Sequence, residues 1–474
     1  MTTTLTYPHE KKPKNLSVRI PAWIPSVEAI TEPHGLDADR MRVLLHQFFL
    51  CYLKNSKIRR AKAGKNFLPD YFPVHSFLLR QTCSDKYLSY VNVLIEAGII
   101  ERRMNEQGTA SYLAGGRAQL YRWIIPDKFY AGCSFRSESI TGLKQIKAVL
   151  RTRDKHVNRC EEMAIELSND NPVYTELFSC LTDIVFDEAF HKEIANQYSS
   201  DLKLLECEAV ANKDFTWFTK DSFGHRLHHP ITTMPKEYRK HLRFKENLDE
   251  PLVILDIKNS QPYFSSVIVN KDLINAHLPE FKPMLEHIAQ FEKKPDFLLY
   301  RKLCVEGRLY EFLMEGMGGK PKDAQASHKV RGQIKELFFA SVLFSRTRVF
   351  GEKSRFRESF RLAFPSVHKM FQEIKRLNET ILPDLKSIIR PTGKKFKYEK
   401  SNNAYKLVAC LMQRAESAIL FHVISPRLLA AGIRYVTVHD SIILLPEHVE
   451  QALQIINISF ESLGLPTPAI SINE

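Results

Sequence analysis

The hydrophobic rhythm of the chain changes along its length, and each change predicts a different kind of element. Between Asp37 and Lys54 the apolar residues Met41, Val43, Leu44, Leu45, Phe48 and Phe49 predict a buried helix. The basic stretch "KNSKIRRAKAGK" that follows reads as solvated surface. In "HSFLLRQTCSDKYLSYVNVLIEAGIIERRM", Ser84 is placed to cap a second helix holding Tyr87, Leu88, Val91, Val93, Leu94 and Ile95, with Gly98 at its end. "GIIERRM" and "AQLYRWII" predict two strands joined by the glycine-bearing "NEQGTASYLAGGR". From about Ser137 to Asn212 the spacing is helical, and no chemistry stands out in it. Ahead of all this, Pro8, Pro13, Pro21, Pro25 and Pro33 mark an irregular arm.

The second half carries a different pattern. In "EPLVILDIKNSQPYFSS" an apolar run ends in Asp256, as when a buried strand delivers a carboxylate to its exposed end. "IRYVTVHDSIILL" predicts two strands flanking a tight turn that presents His439 and Asp440. If these strands are neighbours in one sheet, the two carboxylates sit close enough to share divalent cations, which such like charges require. Between them in sequence, "SHKVRGQIKELFFASVLF" places Arg331, Lys335 and Phe339 at four-residue steps. On an α-helix those side chains form one slowly drifting stripe, suited to a charged, ring-bearing ligand. A solvated basic edge beside a buried Phe is the bland reading of the same triplet.

Composition narrows the picture. A chain of 474 residues, 44% hydrophobic and 26% charged, is too long for one ordinary core and has the balance of a soluble multidomain protein. Its 68 Lys and Arg against 54 Asp and Glu leave a formal charge of +14, which suits a polyanionic partner such as nucleic acid. The eight cysteines are scattered without a CxxC pair, so neither a zinc knuckle nor a disulfide framework is expected, and a reducing cytoplasm is the simplest compartment. The opening "MTTTLTYPHEKKPKN" has no apolar signal core, and no run of about 18 apolar residues is expected to cross a bilayer, so no membrane role is expected.

Two resemblances follow from these residues. Helix, helix and β-wing over residues 35–136 resemble a winged helix, which implies a DNA-contact or protein-contact module. Its candidate face offers Lys86, Tyr90 and Asn92, with Arg102, Arg103 and Arg117 near the wing. Residues 215–474 resemble the family A polymerases, the group of bacterial DNA polymerase I and, more distantly, the phage and mitochondrial single-subunit RNA polymerases. The match lies in "ILDIKNSQPYF" with Asp256, in Arg331, Lys335 and Phe339 at RxxxKxxxF spacing, and in "VTVHDSIIL" with His439 and Asp440. "GHRLHHPITTMPKEYRKHL", "LAFPSVHKM", "RPTGKKFKY" and "LVACLMQRAESAIL" resemble lesser landmarks of the family in the same order.

The resemblance implies an α+β multidomain fold, a right-hand polymerase with an antiparallel palm sheet, helical fingers and thumb, behind a winged-helix-like domain. Residues 1–34 are then an irregular arm, 35–136 the winged-helix-like module, 137–214 a thumb-like helical region and 215–474 palm and fingers. It implies two Mg²⁺ ions, with Mn²⁺ as an alternative, on Asp256, Asp440 and the backbone carbonyl of Ile257. Arg331 and Lys335 would hold the nucleoside triphosphate, Lys335 would also protonate the leaving pyrophosphate, and Phe339 would pack on base or sugar. Arg226, Gln413 and His439 would meet nucleic acid.

Four departures qualify it. Leu343 and Phe344 stand where the family has Tyr and Gly, Gln261 stands in place of a Glu that excludes a ribose 2′ hydroxyl, Pro262 beside it offers Tyr263 as another gate, and Ser441 follows His-Asp as in the RNA polymerases. No proofreading region is recognisable. The expectation is a template-directed nucleotidyltransferase, a DNA polymerase without proofreading acting on primed DNA, of the kind that replicates a mobile element, with a replication protein as a further partner. The alternatives are a primase or primer-independent RNA polymerase on the same fold, and a catalytically inactive DNA-binding replication initiator.

Overall fold

The chain divides into two units, Met1–Cys160 with Phe186–Trp217 and Met234–His241, and Glu161–Val185 with Phe218–Thr233 and Leu242–Glu474. The computed structural model describes residues 13–61, 71–110, 118–126, 134–194, 198–199, 201–316, 324–345, 349–385, 388 and 404–473. It is a mixed α+β chain, mostly helical, with small antiparallel sheets.

In the first unit the arm is not irregular throughout. Leu16–Pro21 forms strand β1, because Val18 and Ile20 have a core to enter. The first expected helix is α1 (Ala38–Ala61), and Phe48 on it packs edge-on against Phe72 and Tyr121. Phe72 lies on β2 (Phe72–His75), which leads into α2 (Ser76–Cys83), α3 (Tyr87–Glu96) and the strands β3 (Ile100–Arg102) and β4 (Ala118–Trp123). β2, β4 and β3 form one antiparallel sheet in that order.

The sequence pattern misses β2 and α2. Ser84 does not cap α3: with φ 65° it closes α2, its N–H donating to the Arg80 carbonyl at 3.0 Å. Tyr90 is not on a reading face either. It is 3% exposed, and its hydroxyl accepts the Asp37 N–H at 3.2 Å, because its position on α3 points at the core. Lys86 is exposed, while Asn92 accepts from Arg102 at 3.4 Å. Arg117 and "RPTGKKFKY" lie outside the described residues.

The expected boundary after residue 136 falls inside this unit. β1 pairs with β5 (Phe135–Ile140) in antiparallel register, Leu16 facing Ile140. Helix α4 (Leu202–Ala211) lays Leu205 and Ala209 in one cluster with Phe49, Leu53 and Phe135. Buried ion pairs tie the same pieces, Arg19 to Glu208 at 2.9 Å and Arg153 to Asp214 at 2.8 Å. Removing one member would strand a buried charge, which is far more costly than the pair is stabilising.

The second unit is organised on β6 (Val253–Ile257), α5 (Ser260–Val267), α6 (Leu309–Gly316), α7 (Ala324–Phe338), α8 (Leu407–Ala418), β7 (Tyr435–Val438), β8 (Ser441–Leu444), α9 (Val449–Glu461) and β9 (Ile470–Asn473). The strands form one antiparallel sheet in the order β7-β8-β6-β9. Leu255, Ile442, Phe264, Ile419 and Phe460 enclose a cavity of about 20 Å³ beneath the sheet, with Glu416 and Asp440 on its wall. One stretch corrects the sequence expectation about bilayers. Ala404–Ala430 is long and apolar enough, at mean hydropathy 1.4, to cross a membrane by length and composition, yet 89% of that window is buried inside the protein.

Candidate functional site

Register explains the centre of the site. Asp256 on β6 lies opposite Ser441 on β8, and residues directly opposite in an antiparallel pair share a face. The Ser441 hydroxyl accordingly donates to Asp256 Oδ1. β7 and β8 form a hairpin in which Val438 pairs with Ser441, so His439 and Asp440 are its two-residue turn. His439 takes φ 57°, a left-handed conformation that non-glycine residues adopt at a cost. Its ring lies 5.5 Å from that of His228, whose Nε2 is 3.0 Å from Asp221 Oδ2. The hairpin therefore brings Asp440 to the residue next to the partner of Asp256.

Asp440 has no ion-pair or hydrogen-bonding side chain among the described residues. No three His, Cys, Asp or Glu side chains gather into a complete metal cage among them. Asp256 at the end of β6 and Asp440 in the hairpin turn are oxygen donors of the kind that could hold a hard cation such as Mg²⁺. The local charge fits too, since buried Glu416 beside Asp440 would be relieved by a cation.

The stripe on α7 ends differently from its sequence pattern. The α-helix stops at Phe338, and Phe339–Leu343 winds as a single π-helical turn closed by the Phe344 N–H on the Phe339 carbonyl at 2.8 Å. Ser341 contributes by donating its hydroxyl back to the Leu337 carbonyl, which bends helices. The carbonyls of Ser341 and Val342 are taken up by Arg357 Nε, at 2.7 Å, and by Lys375 Nζ. Leu343 is fully buried, and the Phe344 ring sits 5.4 Å from Phe339.

Arg331 is held on three sides. Its Nε donates to Glu311 Oε1 at 2.6 Å, its Nη2 to Asn259 Oδ1 at 2.9 Å, and its guanidinium lies 5.2 Å from the centre of the Tyr310 ring. Asn259 stands three residues beyond Asp256 at φ 54°, at the entrance to α5. Burial raises the Tyr310 hydroxyl above its ordinary pKa, with Cys304, Glu311 and Asp440 adding and Arg331 opposing. Lys335 is exposed, its Nζ 5.8 Å from the Phe339 ring centre. Asn259 Nδ2, Tyr310 Oη, Glu311 Oε2 and Gln261 Oε1 are buried atoms without a hydrogen-bond partner among the described residues.

A carboxylate that the sequence pattern overlooked ties the rest together. Glu416 on α8 is 2% exposed and accepts from Arg226 Nε and Nη2, both at 2.7 Å, from Ser260 Oγ at 3.1 Å and from Gln261 Nε2 at 2.9 Å. Burial pushes Glu416 up to about 7, with Arg226 pulling it down and Asp440 pushing it further up. Arg226 is thus committed to Glu416 rather than presented at an open surface. Tyr263 is also withdrawn, being fully buried with its hydroxyl donating to the Pro466 carbonyl at 2.8 Å. Gln413 is half-buried against Gly224, where an added Cβ would lie 2.4 Å from Gln413 Oε1. The available signal for Glu416 was a lone acid three residues after Gln413 in an apolar helix, which demands a cationic partner.

No family model matches the chain, and no curated protein matches it. Among solved structures it is similar to the POL domain of Pol1 from M. smegmatis in complex with DNA primer-template and dNTP. That likeness has 12% identity and a TM-score of 0.28, and it spans 68% of this chain and 65% of that one. At that level the functional reading rests on this chain's own residues.

Proposed function

We propose that the chain is a template-directed nucleotidyltransferase, a DNA polymerase without proofreading. The observation that carries this reading is the meeting of three separated segments: Asp256 on β6, Asp440 one residue from its partner on β8, and Arg331 of α7 bonded to Asn259 at 2.9 Å. The buried unpartnered atoms of Asn259, Tyr310 and Glu311 nearby support a polar ligand there, since such atoms cost stability unless something bonds them.

In this reading Asp256, Asp440 and the carbonyl of Ile257 would hold Mg²⁺. When bound, Mg²⁺ supplies activation of a 3′ hydroxyl and neutralises charge on the departing pyrophosphate. Arg331 orients the triphosphate by exchanging Glu311 for phosphate oxygens, which its guanidinium fork matches. Lys335 Nζ delivers a proton to the leaving group, and the Phe339 ring packs against base or sugar. His439, Gln413 and, through its pairing with Glu416, Arg226 shape the nucleic-acid side. Bulk at Gln261 and an aromatic at Phe339 favour deoxynucleotides. Ser441 after His-Asp favours the second reading, a primase or RNA polymerase.

The first unit would recruit the enzyme to DNA or to a replication partner. The succession of α1, β2, α2, α3 and the β3–β4 hairpin supports a winged-helix-like module, with Lys86 as a cation at the start of α3 and Arg103 as one just after β3. A DNA-contact module fused to a polymerase suits replication of a mobile element.

The test is incubation of the purified full chain with a primed DNA template, Mg²⁺ and either dNTPs or NTPs. Template-dependent extension with a dNTP preference is expected. Extension with NTPs only would transfer the assignment to the second reading, and incorporation that ignores template sequence would overturn both.

A further inference from the structure

Glu416 is a single carboxylate with four donors, and its environment leaves it little freedom. It is buried in α8, and its two oxygens receive Arg226 twice, Ser260 and Gln261. With donors aimed at both of its oxygens, the Glu416 carboxylate accepts throughout, and that arrangement dictates which end of the Gln261 amide faces it. The NH₂ end turns to Glu416 at 2.9 Å, and Oε1 points away, buried and without a partner among the described residues. Ser260 and Gln261 open α5, and their backbone follows directly from Asp256 through Asn259. Glu416 therefore sets the rotamer and the hydrogen-bonding polarity of the residue proposed above to meet the sugar, while pinning Arg226 beside it.

We propose that Glu416 is a positioning residue that sets sugar selectivity through Gln261. The inference rests on the nucleotidyltransferase reading and deepens it. The bulk of Gln261 meets a ribose 2′ hydroxyl only while its side chain is held in place, so the 2.9 Å bond from its amide to Glu416 is a lever on the choice of sugar. With an amide at 416 in place of the carboxylate, the polarity of Gln261 is no longer dictated, and either end can face the sugar.

The test measures kcat/KM for dATP and ATP on one primed template with the unmodified protein, Glu416→Gln, Gln261→Met and the double variant, alongside thermal unfolding. Glu416→Gln is expected to change the dATP:ATP ratio by about tenfold or more, on the scale at which buried hydrogen-bond matching operates. If Glu416 acts through Gln261, the double variant should have the same ratio as Gln261→Met alone, a non-additivity that independent sites do not give. Should Glu416→Gln not fold, Ser260→Ala removes one donor from Glu416 and should move the ratio in the same direction. Equal losses for both nucleotides, or additive effects in the double variant, would overturn the inference while leaving the polymerase reading in place. Absence of any incorporation by the unmodified protein would overturn that reading and this inference with it.

Discussion

Arg331 is the residue at which the site's electrostatics are most exposed to test. Its side chain and that of Glu311 are 36% and 37% exposed, so their pairing is worth roughly 1 kcal/mol or less. If, as proposed, a triphosphate displaces Glu311 from Arg331, its binding is weakened by at most that amount. Glu311→Gln should therefore lower the apparent nucleotide KM by up to about fivefold with kcat little changed. Arg331→Ala should raise the same KM, whereas Lys335→Ala should lower kcat more than it weakens template binding. Steady-state kinetics with one varied nucleotide reads all three, and a normal KM in Arg331→Ala would remove it from the triphosphate site. At this scale the sequence revealed residue types at strand ends and helix steps, which is why Asp256, Asp440 and Arg331 could be singled out. It could not reveal where side chains point. Tyr90 and Tyr263 have the chemistry of contact residues and the direction of core residues. Arg226 looked like a free cation because its partner, Glu416, stands 190 positions away.

The π-helical turn after α7 is the element whose behaviour sequence periodicity misjudged. Four-residue spacing continues to Leu343 in the sequence, but the choice between α and π winding lies in tertiary partners, Arg357 and Lys375, that take the displaced carbonyls. Burial, with Arg357 adding, pulls Lys375 down to about 7 from its ordinary 10.5. Between those pH values the unfolded chain binds a proton that the folded chain does not, so unfolding is proton-linked and stability rises with pH across that window. The gain from about pH 7 to 9 should be on the order of 2 kcal/mol. Denaturant unfolding of the unmodified protein and of Lys375→Met at both pH values should give a smaller rise in the variant. Equal rises would place the titration elsewhere. The strands β6, β7 and β8, by contrast, were readable because β-branched runs bounded by polar residues admit few other conformations. β2 and α2 were not, being short segments without a complete period of their own.

The whole molecule carries a formal +14, and the two units give that charge different expected roles. Deletion up to residue 136 is a poor probe of the first unit, because it would remove β1, α1 and Phe135 from the core they share with Leu205 and Ala209. Lys86→Ala combined with Arg103→Ala leaves that core intact. If both meet phosphate, the slope of log affinity against log salt should flatten by about two, one per lost contact. An unchanged slope would assign the module to a protein partner instead. The central claim concerns the second unit: that the end of β6 and the β7–β8 turn carry the carboxylates of the proposed nucleotidyl-transfer site. It is tested most directly by primer extension with Asp256→Asn and Asp440→Asn, each measured beside the unmodified protein together with its template affinity. The account predicts a fall in incorporation of at least about a hundredfold in each variant, with template affinity kept within a few-fold, because only stabilisation of transition-state charge is lost. Extension at the unmodified rate by either variant would contradict it.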